Sequence, residues 1–378
     1  MNKQILNVAW ALALSGAALS ANAASYTFTD LGTLGGTYSA ATAINNAGRV
    51  AGSASTANNA ASHATVWNGT TAIALGTLGG NGGRAAAINN AGQVAGYSLT
   101  TNNAATTHAT VWNGTTATDL GTLGGTDSAA FAINTAGQVA GRSYTANGAL
   151  HATVWNGPTA TDLGTLGGTD SAAFAINNAG LVAGYSRTAS NRDFHATVWN
   201  GTTATDLGTL DVAGAESFAT AINDAGLVAG FRTASGARYA TVWNGTTATD
   251  LGTLGGTNSA AFAINTAGQV AGRSSTANGA LHATVWNGAT ATDLNSFLDA
   301  STVSAGWVLY EATGINDNGW IVGNASNPLL GIYSHAFLLS VAAVPEAETW
   351  AMMLAGLGLV GFAARHRKYT SVIKRSIK

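Results

Sequence analysis

With 378 residues and no cysteine, the chain can form neither disulfides nor thiolate metal sites. Hydrophobic residues make up 46% and charged residues only 8%, so material for a core is ample. The formal net charge is −2, but residues 24–344 carry 15 acidic side chains against 8 basic ones, all Arg, and this Lys-free, mildly acidic body argues against nucleic-acid binding.

Residues 1–23 have the grammar of a secretory signal. Lys3 supplies a positive start, Val8–Leu19 an apolar stretch, and Ala21-Asn22-Ala23 a small-residue cleavage site, with Ala21 and Ala23 flanking Asn22. Export through the Sec machinery and removal by signal peptidase are therefore expected.

From residue 24 to residue 343 one pattern returns. Asp119-Leu-Gly-Thr-Leu-Gly-Gly125 recurs at Asp162–Gly168 and Asp250–Gly256, with variants starting at Asp30, Ala74, Asp206 and Asp293. Its first Leu falls at intervals of 44, 45, 43, 44, 44 and 43 residues from Leu31 to Leu294. A fixed period of that size is the mark of a repeat architecture.

Each unit has four parts. In one of them, Ser128–Ile133 is an apolar run (strand A) ending in Asn134-Thr-Ala-Gly137, and Gln138-Val-Ala-Gly141 follows (strand B). After a polar loop come His151–Trp155 (strand C), Asn156-Gly157, and Thr159–Leu166 (strand D). Asn-Gly between β-prone runs is a strong hairpin signal and points to type I′ turns. Alternation puts Phe131 and Ile133 on one face of strand A and Ala130 and Ala132 on the other. Strands apolar on both faces belong to sheets covered on both sides. Gly every few residues, without a 3.6-residue pattern, excludes helical repeats.

Seven A strands and seven C strands can be counted, but the first D strand, Tyr26–Leu34, precedes every A strand. That offset serves no purpose in an open stack. In a ring it lets the N-terminal strand complete the last unit. The fold expected is an all-β, seven-bladed β-propeller closed by its N-terminal strand.

The wording of the units resembles the extracellular HAF repeat family, through His335-Ala336-Phe337, His-Ala-Thr in earlier units, Ile-Asn-x-x-Gly and Leu-Gly-x-Leu-Gly-Gly. The resemblance implies an extracellular or surface setting and brings no activity.

Residues 344–378 hold a second resemblance. Val344-Pro-Glu-Ala-Glu-Thr-Trp-Ala-Met-Met353 leads into Leu354–Ala364 and then Arg365-His-Arg-Lys368. This is similar to the PEP-CTERM sorting signal of Gram-negative bacteria, with Pro345 and Glu346 at its head, Ala347 where the family has a second proline, and Arg365, Arg367 and Lys368 as its basic end. The resemblance implies processing by an exosortase-like membrane protease, then residence at the cell surface, in the outer membrane or outside the cell. Thr349–Ala364 is 16 residues, about 24 Å as a helix, short for a hydrocarbon core of about 30 Å and suited to transient anchoring in the inner membrane. The basic residues behind it hold that end in the cytoplasm.

Candidate chemistry is sparse. Six of seven units start strand C with His and the fifth has Tyr239. Each falls in a different unit with no second ligand nearby, so an imidazole bonded within its own unit is expected rather than a metal site, and no cofactor is expected. The Asp before each Leu-Gly (Asp119, Asp162, Asp206 and Asp250) is expected to be a turn or ladder acceptor rather than a catalytic carboxylate. Irregularities at Asp211–Ser217 and Asp299–Glu311 offer Glu216 and Glu311 to a glycan-active enzyme, the second reading; a purely structural surface protein is the third.

The first reading is a non-enzymatic binding or structural component of an exopolysaccharide or biofilm matrix. B–C segments vary in length, and in a propeller they share one face with the D–A connections. Arg142, Arg187, Arg192, Arg232, Arg238 and Arg273 fall in the B–C region and Arg84 in a D–A connection; only Arg49 falls in an A–B turn. Tyr97, Tyr144 and Tyr185 lie in the same B–C segments. Guanidinium forks and flat aromatic rings together suit an acidic exopolysaccharide.

Overall fold

The structure, a computed structural model, describes residues 26–101, 106–190, 192–209 and 214–341. The expected signal peptide with Ala21 and Ala23, the C-terminal segment with its short transmembrane helix, and Asp211 lie outside the described residues. Among the described residues no helix is long and apolar enough to cross a membrane.

The described residues form seven four-stranded antiparallel sheets, six of them meanders of consecutive strands. In blade 3 the strands are A Gly124–Ile133, B Val139–Thr145, C Leu150–Asn156 and D Thr159–Asp162. In blade 7 strands A to C are Val308–Ile315, Ile321–Asn327 and Ile332–Val341, and the outer strand is Tyr26–Asp30 from the start of the body. Tyr26 pairs with Val341 and Asp30 with Phe337. Each A strand contacts the A strands of both neighbouring blades, blade 7 with blade 1 included, so the seven sheets close into a propeller.

Between neighbouring blades lies a layer of core. Ala140 and Ala152 of blade 3 present small side chains, and Val182 and Trp199 of blade 4 fill the space, with Leu163 from the connection between them. One face of each sheet is small and the other large, which lets sheets pack closely. Burying a Trp or Leu here contributes about 2–3 kcal/mol, and the layer recurs around the ring.

The repeated Asp-Leu-Gly-Thr-Leu-Gly-Gly is the passage from one blade to the next. Strand D stops at Asp162 rather than reaching Leu166. Leu163 N–H still donates to Ala152 C=O at 2.9 Å, but its side chain turns into the interblade core. Gly164 takes a φ of +69°, where Cβ would be strained, and from there the chain crosses to blade 4. Ser171 of blade 4 then accepts from Ala152 N–H at 2.9 Å and donates to Gly164 C=O at 2.7 Å. One hydroxyl thus satisfies two backbone groups that the short D strand leaves behind.

The hairpins are real but the C–D turns differ from expectation. Asn156 pairs with Thr159, so the two turn residues are Gly157 and Pro158. Gly157 has a φ of +60°, and no residue after the Gly of these turns has positive φ, which makes them type II′. Proline, locked near −65°, fits the second position of that turn and no type I′ turn.

Strand A also departs from simple alternation. Its register with strand B shifts between Ala130 and Ala132, and the equivalent shift occurs in all seven blades. Phe131 is the extra residue of this β-bulge. Ala130 and Ile133 therefore share one core layer, and Phe131 and Ile133 do not share a face.

The A–B turns add a belt. Asn45 Nδ2 donates to Asn89 C=O, Asn89 to Asn134, Asn134 to Asn177, Asn177 to Asn223, Asn223 to Asn265, Asn265 to Asn316, and Asn316 back to Asn45, at 3.0–3.2 Å. Each Asn is buried. This circle of side-chain amides is why Ile-Asn begins every A–B turn.

Candidate functional site: an arginine-rimmed aromatic mouth

The bulge decides what faces the centre. It aims Thr42, Ala86, Phe131, Phe174, Thr220, Phe262 and Thr313, one from each blade, into the space inside the ring. That space opens on the B–C side as a cavity of about 470 Å³. Phe218, Phe231, Tyr97 and Tyr185 widen its aromatic wall, and Arg84 and Glu311 give it a polar arc. The rings contact in series: Phe131 to Phe174 at 5.3 Å, Phe174 to Tyr185 at 5.5 Å, Tyr185 to Phe218 at 5.4 Å and Phe218 to Phe231 at 5.1 Å between centroids.

Four arginines stack on this face. The Arg142 guanidinium carbon lies 5.5 Å from the centre of the Phe131 ring and that of Arg273 5.6 Å from Phe262. Arg187 sits 4.1 Å over Phe194, itself edge-on to Tyr185, and Arg238 4.9 Å over Phe231. Stacking on a ring leaves the in-plane N–H groups free to point outward. Arg273 spends one of them on Glu311 Oε1 at 3.0 Å, and Arg187 Nε meets Asp170 at 3.3 Å. Glu311 Oε2 also accepts from Asn324 Nδ2 at 3.2 Å.

The structure separates the residues grouped by sequence. Arg142, Arg187, Arg238 and Arg273 reach the rings, and Tyr97 and Tyr185 line the mouth. They lie in strands B and C rather than in loops, because strand B runs on past the Gly at which it was expected to end and, for Arg238, strand C begins before Tyr239. Arg232 is out of phase by one residue and turns to the other side of its sheet, where Nε donates to Thr241 Oγ1 at 3.2 Å. Arg192 is exposed in the B–C bend of blade 4. Tyr144 borders a separate interblade pocket with Arg142. Glu216 opens strand A of blade 5, and Glu311 belongs to blade 7. Sequence reasoning missed Phe131, Phe174, Phe218, Phe231 and Phe262 as a lining. For Phe131, Phe174 and Phe262 the signal was Phe at one fixed place in a run otherwise of Ala; Phe218 and Phe231 lie elsewhere in blade 5 and carry no such repeat.

The histidines bond within their blades as expected. Nδ1 of His108, His151, His195 and His282 donates to Asp119, Asp162, Asp206 and Asp293 at 2.6–2.8 Å. The other carboxylate oxygen caps the turn, as from Gly164 N–H at 2.8 Å to Asp162. Ala74 replaces this Asp opposite His63, and there the peptide is rewired: Gly76 N–H donates to Thr115 C=O, and Gly76 C=O accepts from Trp112 Nε1 at 2.7 Å.

Residues 343–368 match the PEP-CTERM protein-sorting motif. The chain carries a PEP-CTERM signal. A PEP-CTERM signal marks a protein for export and membrane-linked sorting to the cell surface, with processing by exosortase. No curated protein matches the sequence. In structure, the PEP-CTERM-bearing chain is similar to TolB from Acinetobacter baumannii, with 11% identity, a TM-score of 0.42 and 66% of this chain covered. It spans 63% of the length of TolB. It is also similar to an arginine-to-alanine triple mutant of AofleA from Arthrobotrys oligospora, with 13% identity, a TM-score of 0.40, and 71% of this chain and 89% of that one covered.

Proposed function

We propose that this protein is a non-enzymatic component of an extracellular matrix, and that its aromatic mouth binds an acidic exopolysaccharide. The observation that carries the reading is the set of four arginines stacked on rings around one mouth. Aromatic rings accept the apolar faces of sugar rings, and a stacked guanidinium offers a carboxylate two parallel N–H groups. The sorting signal supports an address where such polymers are present.

A glycan-active enzyme is the alternative, favoured by Glu311, whose carboxylate lines the same mouth. Incubating the purified protein with alginate and polygalacturonate separates the readings. Retention on the polymer with its chain length unchanged is expected. Shortened chains would mean an enzyme, and neither retention nor shortening a scaffold without a ligand.

A further inference from the structure

Two pockets outside the mouth are built alike. One lies between blades 2 and 3, about 280 Å³, walled by Asp127, Arg142, Tyr144 and Leu150. The other lies between blades 5 and 6, about 350 Å³, walled by Arg238, Asn258, Arg273 and Leu281. The correspondence is positional: Arg142 and Arg273 sit at the same place in strand B, opposite Ala129 and Ala260. It extends to the bonds, since Asp127 Oδ1 accepts from Thr107 N–H at 2.9 Å and Asn258 Oδ1 from Arg238 N–H at 3.0 Å.

The pocket does not recur between blades 3 and 4 in this form. There Tyr185 takes the place of Arg142 and Phe194 that of Leu150, and the two rings meet at 4.8 Å. Arg187 stacks on Phe194 and reaches Asp170, filling the space. The two open pockets are three blade steps apart in a ring of seven, on nearly opposite sides of the mouth.

Arg142 and Arg273 each belong to two surfaces. Each lines an interblade pocket, and each stacks on a bulge Phe that lines the mouth. The guanidinium is thus the partition between pocket and mouth on both sides. Glu311 engages Arg273, whereas Arg142 has no hydrogen bond or ion pair among the described residues.

We infer that pocket, mouth and pocket form one track for the interior of a single uronic-acid polymer, which lies across the face and is gripped at Arg142 and at Arg273. The inference rests on the polysaccharide reading above and specifies how the chain is held. Asp127 and Asn258 supply acceptors for sugar hydroxyls, the arginines take carboxylates, and the rings between them take sugar faces. Because Arg142 is the unengaged one, its loss weakens binding more than the loss of Arg273.

The test is calorimetry with oligogalacturonides of increasing length on the purified protein. Affinity is expected to rise by a factor of about ten or more from trimer to decamer as the second grip is engaged, with one decamer bound per protein. Arg142→Ala and, more weakly, Arg273→Ala are expected to bring the decamer back toward the trimer's affinity. Arg142→Lys is measured alongside, because it keeps the charge and is the safer variant for folding; it should lose most of the length dependence with the guanidinium plane. Equal affinities for trimer and decamer with two bound per protein would mean separate sites and overturn the track while leaving the polysaccharide reading intact. No binding at any length would overturn both.

Discussion

His335 and Asp30 stand 305 positions apart in the chain, and their side chains meet, with Nδ1 at 3.0 Å from Oδ2. In four other blades the same pair forms between strands eleven residues apart. Blade 7 therefore uses a local repeat contact as a clasp between the two ends of the body. Removing Tyr26–Asp30 leaves Ile332–Val341 as an open edge and uncovers the core beneath Phe28 and Phe337. Such a variant is expected to melt well below the full protein and to aggregate. His335→Ala, which removes the clasp bond and the ring's contact with Trp307 but leaves the strand in place, should cost about 1 kcal/mol or somewhat more. An unchanged melting temperature in the deletion variant would favour an open stack.

Two glycine substitutions separate close packing from turn strain. A Cβ on Gly184 would lie 1.9 Å from Ala172 C=O, inside the blade, where nothing can move aside. Gly184→Ala is expected to cost about 3 kcal/mol or more. Gly148 has a φ of +86° but nothing within 4 Å of a new Cβ. Gly148→Ala should cost only about 1 kcal/mol, from backbone strain alone. Urea midpoints measure both.

Asp317 links acid stability to the ring. Burial acts to raise its pKa, but hydrogen bonds from the Thr266 N–H, the Asn46 amide and the Thr266 hydroxyl together outweigh it, and the carboxyl titrates below its ordinary 3.8. Its lower folded value means that Asp317 stabilises the ring in full above the ordinary value, and that this contribution fades as pH falls through the lowered one. Between about pH 5 and about pH 3, melting temperature should fall more steeply in the wild type than in Asp317→Asn. Parallel slopes would remove Asp317 from the acid response.

Much of this fold was legible in the sequence because the repeat writes it seven times. The period, the A–B and C–D hairpins and the displaced N-terminal strand sufficed for a closed ring, and an imidazole bonded within its own unit was expected, but its Asp partner was not. The bulge at Phe131 left no such trace. An inserted residue changes which side chains share a face without changing composition, so the aromatic lining stayed hidden in Ser-Ala-Ala-Phe-Ala-Ile. The D strand was overextended for a related reason: Leu163 looks like a strand residue because it is buried, yet it is buried between blades. Pro158 marked the type II′ turn, and the stronger Asn-Gly signal masked it.

The sorting signal makes its own prediction. The mature protein is expected to lack residues 1–23 and everything beyond the Pro345-Glu346 region. Intact mass of protein recovered from its own host measures this directly. A species that retains Trp350–Lys378 would mean a permanent anchor in place of a processed one.

Binding by the B–C face is tested most directly by comparing variants on its two sides. Arg142, Arg187 and Arg273 are stacked on rings of that face, whereas Arg49 follows the A–B turn of blade 1 on the other side. Retention on an immobilised polygalacturonate column is measured against salt for the wild type, for Arg142→Ala/Arg187→Ala/Arg273→Ala, and for Arg49→Ala. The triple variant is expected to elute early with a shallower salt dependence, and Arg49→Ala to elute with the wild type. Equal shifts from both sides, or no shift from either, would contradict the assignment of this face as the binding surface.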